Sequence, residues 1–220
     1  PVTQKYIEKK RQAGVFSGVA YHFLDGDEEE QQIFGYAATE PQLEKLTKEH
    51  VFDVASLTKV ICTTSLILRL IEQEKLAVDA PLKTYLPSFK DERITLRHLL
   101  THTSDIVTWI PNRDQLDQKA LREAYLNLEA GPKLGEKVQY TDAGTILLGF
   151  LIEQIYTEDL TTIFKREVLQ PLGMNQSAFP PLLSTIDVVP TEKLADGTIL
   201  RGVTHDPKAR VLGPHAGNAG

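Results

Sequence analysis

Apolar residues lie around nearly the whole circumference of the segment from Leu57 to Glu74, so this segment is predicted to be a helix buried in the core. Helical spacing predicts further helices over 2–13, 94–102, 114–129, 142–157 and 159–169. Glycine and proline residues separate these stretches, as at Pro81, Pro111 and Pro171. The middle of the chain is therefore expected to be a block of packed helices.

Two segments near the N-terminus have the β-branched and aromatic residues typical of strands, namely Val15 to Leu24 and Gln32 to Ala37. The acidic run 25–30 is predicted to be a solvated turn that joins them into a hairpin. After residue 180 the one local pattern is a small hairpin around Asp196-Gly197. Because an isolated hairpin is marginally stable, we expect the sheet to be incomplete and this chain to be the front part of a longer protein.

The composition is that of a globular protein, since 41% of the residues are hydrophobic and 25% are charged, which excludes wholesale disorder. The net charge of −6 argues against nucleic acid as the main partner. No apolar run reaches the roughly 18–20 residues that cross a bilayer, so no transmembrane segment is expected. The single cysteine, Cys62, excludes an intrachain disulfide and is predicted to lie in the core.

The first candidate for chemistry is Ser56-Leu57-Thr58-Lys59, which lies where an extended segment meets the buried helix. Lys59 follows Ser56 by three residues, so both side chains are expected on one helix face, one turn apart. A serine hydroxyl becomes a nucleophile when a nearby base takes its proton, and a lysine in an apolar site can lose its charge and act as that base. The alternative is that Ser56 only caps the helix, a position that serine favours.

The second candidate is Tyr140-Thr141-Asp142, just before another apolar helix. A neighbouring positive charge lowers the pKa of a phenol, so a tyrosine beside a lysine is also a candidate base. The alternative is structural, with Tyr140 at a buried edge and Asp142 as the helix cap. A similar triplet, Tyr125-Leu126-Asn127, is disfavoured because it falls inside the charged helical run 117–129, where a rigid helix presents no free N–H groups.

Several segments in the same order resemble the serine β-lactamase and penicillin-binding protein superfamily. The resemblance is nearest to its class C-like branch, which includes D-alanyl-D-alanine carboxypeptidases and esterases. Residues 52–59 match the Ser-x-x-Lys signature and its approach, and residues 140–142 match the Tyr-x-Asn motif. Residues 94–104, 171–174 and 205–220 also resemble segments of this branch. The match covers nearly the whole chain from about Gly14.

The resemblance implies an α/β fold of the α+β type, with an antiparallel sheet lobe and an all-helical lobe. It divides the chain into three parts: an N-terminal part of the sheet lobe at 1–55, the helical lobe at 56–180, and an irregular segment at 181–220. The irregular segment leads back toward sheet strands that are missing from this chain. Ser56 is expected in the cleft between the lobes.

The activity implied by the resemblance is that of a serine hydrolase. Ser56 attacks the carbonyl of a D-Ala-D-Ala peptide, a β-lactam or an ester, and water then hydrolyses the acyl-serine. Lys59 and Tyr140 share the role of general base, and Asp142 is the candidate substrate-binding residue. No metal or organic cofactor is implied. The expected partner is a small-molecule or peptide substrate. A typical penicillin-binding protein acts outside the membrane, whereas an esterase-like member acts in the cytoplasm, and the sequence leaves both locations open.

Three departures from the family pattern affect the site. Asp142 replaces the usual Asn, and an ionised Asp cannot donate a hydrogen bond, which argues against contact with a substrate carbonyl but still allows Asp142 to bind Lys59. Asp105 stands where the branch commonly has Gly. The third family motif, on a sheet strand that supplies half of the oxyanion hole, is not found, although His215-Ala216-Gly217 fits it literally. A chain without that strand is expected to be a poor catalyst and to self-associate through its open hairpin.

A different class of function also fits the sequence, namely a non-catalytic descendant that binds cell-wall peptides or partners. The changes at Asp105 and Asp142 support it. His98 and His102 are four residues apart and form a weak candidate metal pair, because no third ligand is evident and Leu99 stands where a zinc-protease helix has its Glu. Trp109 either lines a substrate cleft or covers the helical domain.

Overall fold

The structure, a computed structural model, describes residues 2–182 and 184–220. Their α-helices are α1 (Val2–Gln12), α2 (Ser65–Glu72), α3 (Leu82–Tyr85), α4 (Leu96–Leu100), α5 (Gln118–Leu126), α6 (Asp142–Tyr156), α7 (Leu160–Phe164) and α8 (Pro207–Leu212). Their strands are β1 (Gly18–Asp25), β2 (Glu28–Ala38), β3 (Glu44–Lys45), β4 (Glu192–Lys193) and β5 (Ile199–Leu200). All pairings between these strands are antiparallel, and the mixture confirms the α+β fold class.

The described chain falls into two compact units. The first contains the residues up to Asp53 and the segment that ends at Gly202, and it holds α1 and β1 to β5. The second consists of Val54–Leu182 and Val203–Gly220, and it holds α2 to α8. All the candidate site residues from the sequence lie in the second unit.

In the first unit, β1 and β2 form the predicted hairpin, and β3 pairs with β2. The prediction that the whole acidic run 25–30 is a turn is wrong, because its last three residues already belong to β2. Cross-strand partners explain the difference: His22 Nε2 lies 2.7 Å from Glu29 Oε1, and the Tyr21 hydroxyl donates a hydrogen bond to Glu30. Such pairs stabilise a strand whose residues have low strand propensity. The second predicted hairpin is confirmed as β4 and β5.

The core of the second unit surrounds α6, in which every residue from Ala143 to Glu153 is buried. This helix is apolar on all sides, as is typical of a helix inside a core. Two of its glycines allow other backbone segments to approach closely. A Cβ at Gly144 would lie 3.0 Å from the carbonyl oxygen of Leu99 in α4, and one at Gly149 would lie 3.1 Å from the Cα of Gly217. The second approach brings the C-terminal residues 216–220 onto α6.

The predicted helix over 57–74 is present but is not one regular α-helix. It begins as a 3₁₀ turn at Ala55–Leu57, continues as a π-helical turn at Lys59–Thr64 and ends as α2. The apolar residues on its buried face are Cys62, Leu66, Ile67 and Leu70. The prediction that it is buried all round is wrong, since Leu57, Val60 and Leu68 are exposed.

The other predicted helices are found with somewhat shorter ends, as α1, α4, α5, α6 and α7, the last of which continues into a π turn at Lys165–Leu169. Two short helices, α3 and α8, were not predicted, because four and six residues are too few to show a period. Among the described residues, no helix combines the length and the apolar character needed to cross a membrane.

Candidate active site

Ser56 and Lys59 are in direct contact. The amine of Lys59 donates a hydrogen bond to Ser56 Oγ, with 2.9 Å between the two atoms. The preceding residue, Ala55, has a φ of 46°, a left-handed conformation that non-glycine residues rarely adopt. The cap position of the 3₁₀ turn is Val54 rather than Ser56. The alternative that Ser56 merely caps the helix is therefore wrong.

Lys59 is buried, with 4% of the residue exposed, as the sequence led us to expect. Its amine has three acceptors: Ser56 Oγ, the backbone oxygen of Asn218 at 2.9 Å, and Asp142 Oδ1 at 2.7 Å. An ammonium group has three N–H donors, so this set satisfies all of them. Because an unpaired buried charge is strongly unfavourable, these acceptors explain how the core tolerates Lys59.

Tyr140 lies beside this cluster, with its ring centroid 5.3 Å from the Lys59 amine. Tyr140 is largely exposed, and its ring packs against that of His102 at a tilt of 42°, with 4.7 Å between the ring centroids. His102 Nδ1 accepts a hydrogen bond from the N–H of Thr141. Burial and the charge of Lys59 lower the pKa of His102, against the opposing effects of Asp142 and the Thr141 N–H. A neutral imidazole therefore supports Tyr140.

Asp142 is the first residue of α6, and the helix cap is Thr141, whose Oγ1 accepts a hydrogen bond from the N–H of Ala143. The alternative role of Asp142 as the cap is therefore wrong. Its carboxylate binds lysines, with Oδ1 2.7 Å from Lys59 Nζ and Oδ2 3.1 Å from Lys208 Nζ. The expected contact between Asp142 and Lys59 is confirmed.

Lys208 is a site residue that the sequence motifs did not reveal. Its amine also contacts Asp206 Oδ2 at 2.7 Å. Asp206 caps α8 by accepting a hydrogen bond from the N–H of Ala209, and it accepts another from the side-chain amide of Asn218. Burial opposes ionisation of Asp206, but these hydrogen bonds and the one from Lys208 outweigh burial and lower its pKa. The sequence gives one indication of such a residue. Asp142 stands where the family usually has Asn, and a partly buried carboxylate at that position needs a cation beside it.

Hydroxyl groups of the helix that follows Ser56 hold the C-terminal segment in place. Thr63 Oγ1 donates to the backbone oxygen of Gly217 at 2.6 Å, and Thr58 Oγ1 donates to that of Gly220 at 3.3 Å. The carbonyl that accepts from Lys59 belongs to Asn218, between these two residues, and its side chain is fully buried. The backbone of 217–220 is thus one wall of the site.

Asp105, the residue that replaces a common family glycine, has a φ of 47°. Aspartate tolerates this conformation better than most residues. Its Oδ2 accepts a hydrogen bond from the N–H of Lys133, and its backbone oxygen accepts one from the N–H of Gly131. The carboxylate therefore fastens the loop 131–133, a role that glycine does not provide.

The structure gives several other candidates from the sequence structural or surface surroundings. Tyr125 is buried in α5, and burial together with the charges of Asp142 and Asp206 raises its pKa. Thr95 caps α4, and His98 Nδ1 completes the capping box by accepting a hydrogen bond from the Thr95 N–H. His215 is in a 3₁₀ turn rather than a strand, and Trp109 is an exposed loop residue. Cys62 is buried, and burial raises the pKa of its thiol to about 12.

One group of side chains among the described residues has the spacing of a metal site, with ligand atoms of Glu153, Asp159 and His215 within 4.8 Å of one another. Protein contacts already account for Glu153. Its carboxylate lies 2.7 Å from Arg122 Nη1 and 2.5 Å from His215 Nδ1, and it accepts a hydrogen bond from the N–H of Leu160. The group is explained as a hydrogen-bond network between α5, α6 and the C-terminal segment.

Known proteins share this arrangement of elements. A family model described as Beta-lactamase matches residues 3–191. A putative D-alanyl-D-alanine carboxypeptidase of Escherichia coli is 28% identical over 190 residues, which are 76% of this chain and 42% of that protein. A teichoic acid D-alanine hydrolase of Staphylococcus aureus is 28% identical over 181 residues, which are 80% of this chain and 44% of that protein. The chain thus spans less than half the length of these relatives.

Among solved structures, a class C β-lactamase in complex with cefoxitin superposes with a TM-score of 0.80 at 19% identity. The superposition covers 98% of this chain and 60% of that one. At this level of identity the likeness establishes the fold. Together with the family model, which matches most of the sequence, it shows that the chain belongs to the β-lactamase family.

Proposed function

We propose that this protein is a serine hydrolase that forms a covalent acyl intermediate at Ser56. The observation that carries the proposal is the 2.9 Å hydrogen bond between Ser56 Oγ and the buried amine of Lys59. Ser56 is exposed, whereas Lys59 is enclosed, so a carbonyl compound can reach the hydroxyl while the amine stays out of water. A nucleophile in contact with a desolvated base is the arrangement that acyl transfer requires.

In this mechanism the Ser56 hydroxyl loses its proton as its oxygen attacks the substrate carbonyl. Lys59 is in position to take the proton. Tyr140 as a second base stays a prediction, supported by its ring, whose centroid lies 5.3 Å from the same amine. Asp142 orients Lys59 through its Oδ1. The leaving group departs with a proton, and water then hydrolyses the acyl-serine.

For the substrate we propose an acyl compound of the kind that D-alanine-processing enzymes accept: a D-Ala-D-Ala peptide, a D-alanyl ester or a β-lactam. The names of the two relatives, a putative D-alanyl-D-alanine carboxypeptidase and a teichoic acid D-alanine hydrolase, support this class. Asp142 as a substrate-binding residue stays a prediction. Both of its oxygens already bind lysines, which favours the orienting role.

The test is covalent labelling of the full-length protein with a fluorescent penicillin, combined with hydrolysis of a p-nitrophenyl ester. We compare the wild type with Ser56→Ala and with the control Ser65→Ala. Ser65 lies in the same helical stretch, and its hydroxyl donates a hydrogen bond to the backbone oxygen of Val60 at 2.8 Å. We expect the wild type and Ser65→Ala to be active in both assays and Ser56→Ala to be inactive in both.

Two results contradict the proposal. Label or ester hydrolysis retained by Ser56→Ala means that another residue carries the chemistry. Inactivity of the wild type in both assays favours the other class of function, a non-catalytic protein that binds cell-wall peptides. Self-association stays a prediction, which sedimentation of the same preparations tests.

A further inference from the structure

Asp142 is held between two ammonium groups. Its Oδ1 faces Lys59 at 2.7 Å and its Oδ2 faces Lys208 at 3.1 Å. Asp206 lies on the far side of Lys208, at 2.7 Å from the same amine. The four groups form a row of alternating charge in the order Asp206, Lys208, Asp142 and Lys59. Each side chain in the row is at least three-quarters buried, so solvent screens these contacts less than it screens a surface pair.

The position of Lys208 is unusual for a cation. It lies in the first turn of α8, where the helix dipole disfavours positive charge. The two carboxylates compensate: burial lowers the pKa of Lys208, but the hydrogen bonds and charges of Asp206 and Asp142 outweigh burial and raise it. Asp206 also caps α8, which fixes the backbone from which Lys208 extends. Its neighbours thus favour the charged form of Lys208, whose amine lies 3.1 Å from Asp142 Oδ2.

The charge on Asp142 creates a difficulty for the mechanism. A carboxylate next to an amine favours the ammonium form, and an ammonium cannot take the proton of Ser56. An amide at this position, as in the usual Tyr-x-Asn motif, brings no such charge. A second cation on the other oxygen of Asp142 offsets the effect.

We infer that Lys208 is a positioning residue for Lys59: by balancing the charge of Asp142, it allows Lys59 to give up its proton and to serve as the base. This inference rests on the proposed function. On this inference Lys208 compensates for the negative charge that Asp142 brings in place of the family's Asn. The two residues lie on different helices, α6 and α8.

Other titratable groups also face this row, and the test accounts for them. His102 senses the charges of both Lys59 and Asp142, and Tyr140 lies beside Lys59. Tyr125 on α5 senses Asp142 and Asp206. His102 is neutral when its pKa is lowered, and the tyrosines carry no positive charge. Among the described residues in contact with Asp142, Lys208 is therefore the cation that can balance it.

The experiment measures the rate of acylation by the fluorescent penicillin as a function of pH in the full-length protein. In Lys208→Gln, we expect the midpoint of the rising limb to move to higher pH by about one unit, which lowers the rate at neutral pH about tenfold. Lys208→Arg keeps the charge and is expected to restore the wild-type profile. Lys119→Gln is the matched control, because Lys119 is an exposed lysine on α5 and its loss makes the same change in net charge.

A double variant separates charge balance from a merely structural role. In Asp142→Asn the charge to be balanced is absent, so adding Lys208→Gln is expected to shift the midpoint by less than half as much as in the wild type. A structural salt bridge predicts lower stability with an unchanged pH profile. An unchanged midpoint in Lys208→Gln, or a full shift in the Asp142→Asn background, overturns the inference while leaving the proposed function intact.

A substrate-free measurement decides the inference even if the wild type forms no adduct. The Lys59 side-chain carbon signal, followed by NMR in lysine-labelled protein, reports protonation directly and is assigned by its loss in Lys59→Arg. We expect its titration midpoint to move to higher pH in Lys208→Gln and to stay in place in Lys119→Gln. Identical midpoints in all three proteins refute the role of Lys208, whereas failure of labelling alone refutes the proposed function.

Discussion

Thr63→Val is the sharpest test of how the site is held together. Thr63 is completely buried, and its hydroxyl donates a hydrogen bond to the backbone oxygen of Gly217 at 2.6 Å. Valine has nearly the same shape but no hydroxyl, so the change deletes this hydrogen bond without opening a cavity. The buried carbonyl of Gly217 then loses a donor that water cannot replace.

The expected loss in the free energy of unfolding is about 1–3 kcal/mol, the usual penalty for a buried polar group that loses its partner. For a chain of this size, each kcal/mol lowers Tm by about 2–4 °C. Urea denaturation followed by circular dichroism measures the loss, with an unchanged m-value as the sign that the variant unfolds in the same way. Acylation should also slow, because the next carbonyl along the chain accepts from Lys59.

Thr101→Val is the matched control. The Thr101 hydroxyl also donates to a backbone oxygen, that of Arg97 at 2.8 Å, but it is exposed, so water can take its place. We expect its cost to stay within about 0.5 kcal/mol. If Thr63→Val costs no more than this control, the claim that Thr63 fastens the C-terminal segment against the helix is refuted.

Two further changes test the same physical reasoning elsewhere. In Gly217→Ala the new Cβ would lie 2.2 Å from the backbone oxygen of Thr145, so we expect a loss of about 1–3 kcal/mol in the free energy of unfolding. Thermal unfolding measures this loss against the wild type, and a loss within about 0.5 kcal/mol contradicts the clash. Burial opposes ionisation of Asp91, but hydrogen bonds from Arg93 and the Ala130 N–H outweigh burial and lower its pKa to about 2. Because this pKa is below the unfolded value, Asp91 stabilises the fold above pH of about 4 and loses that effect as the pH falls toward 2. Asp91→Asn should therefore cost about 2 kcal/mol at neutral pH, and this cost should shrink toward zero as the pH falls through about 2. A cost in urea denaturation that does not change with pH contradicts the stabilising role of the Asp91 charge.

Local patterns in the sequence predicted the helices and strands whose apolar residues recur at a regular spacing. The buried helix α6 follows from an apolar run, and the contact of Ser56 with Lys59 follows from a spacing of three residues. The hairpin of β1 and β2 was predicted, but the acidic start of β2 was not, because partners on β1 decide it.

Local sequence patterns could not predict contacts between residues that are far apart in the chain. The acceptor for Lys59 at Asn218 is a backbone oxygen 159 positions away, and a backbone atom leaves no mark in the sequence. The pairing of Asp142 with Lys208 depends on how α8 packs near the start of α6. The helix cap was assigned to Asp142 rather than Thr141, because both residue types favour that position and only the backbone geometry distinguishes them.

The π-helical turn at Lys59–Thr64 has a consequence for how this protein can change by deletion. Such a turn holds one residue more than the surrounding helix requires. Removing that residue would rotate Lys59 by about 100° relative to α2. The apolar face formed by Leu66, Ile67 and Leu70 would stay packed in the core, while Ser56 and Lys59, which both precede the deleted residue, would rotate together away from Asp142 and the Asn218 carbonyl. Loss of a single codon can therefore silence the chemistry and leave a folded protein behind.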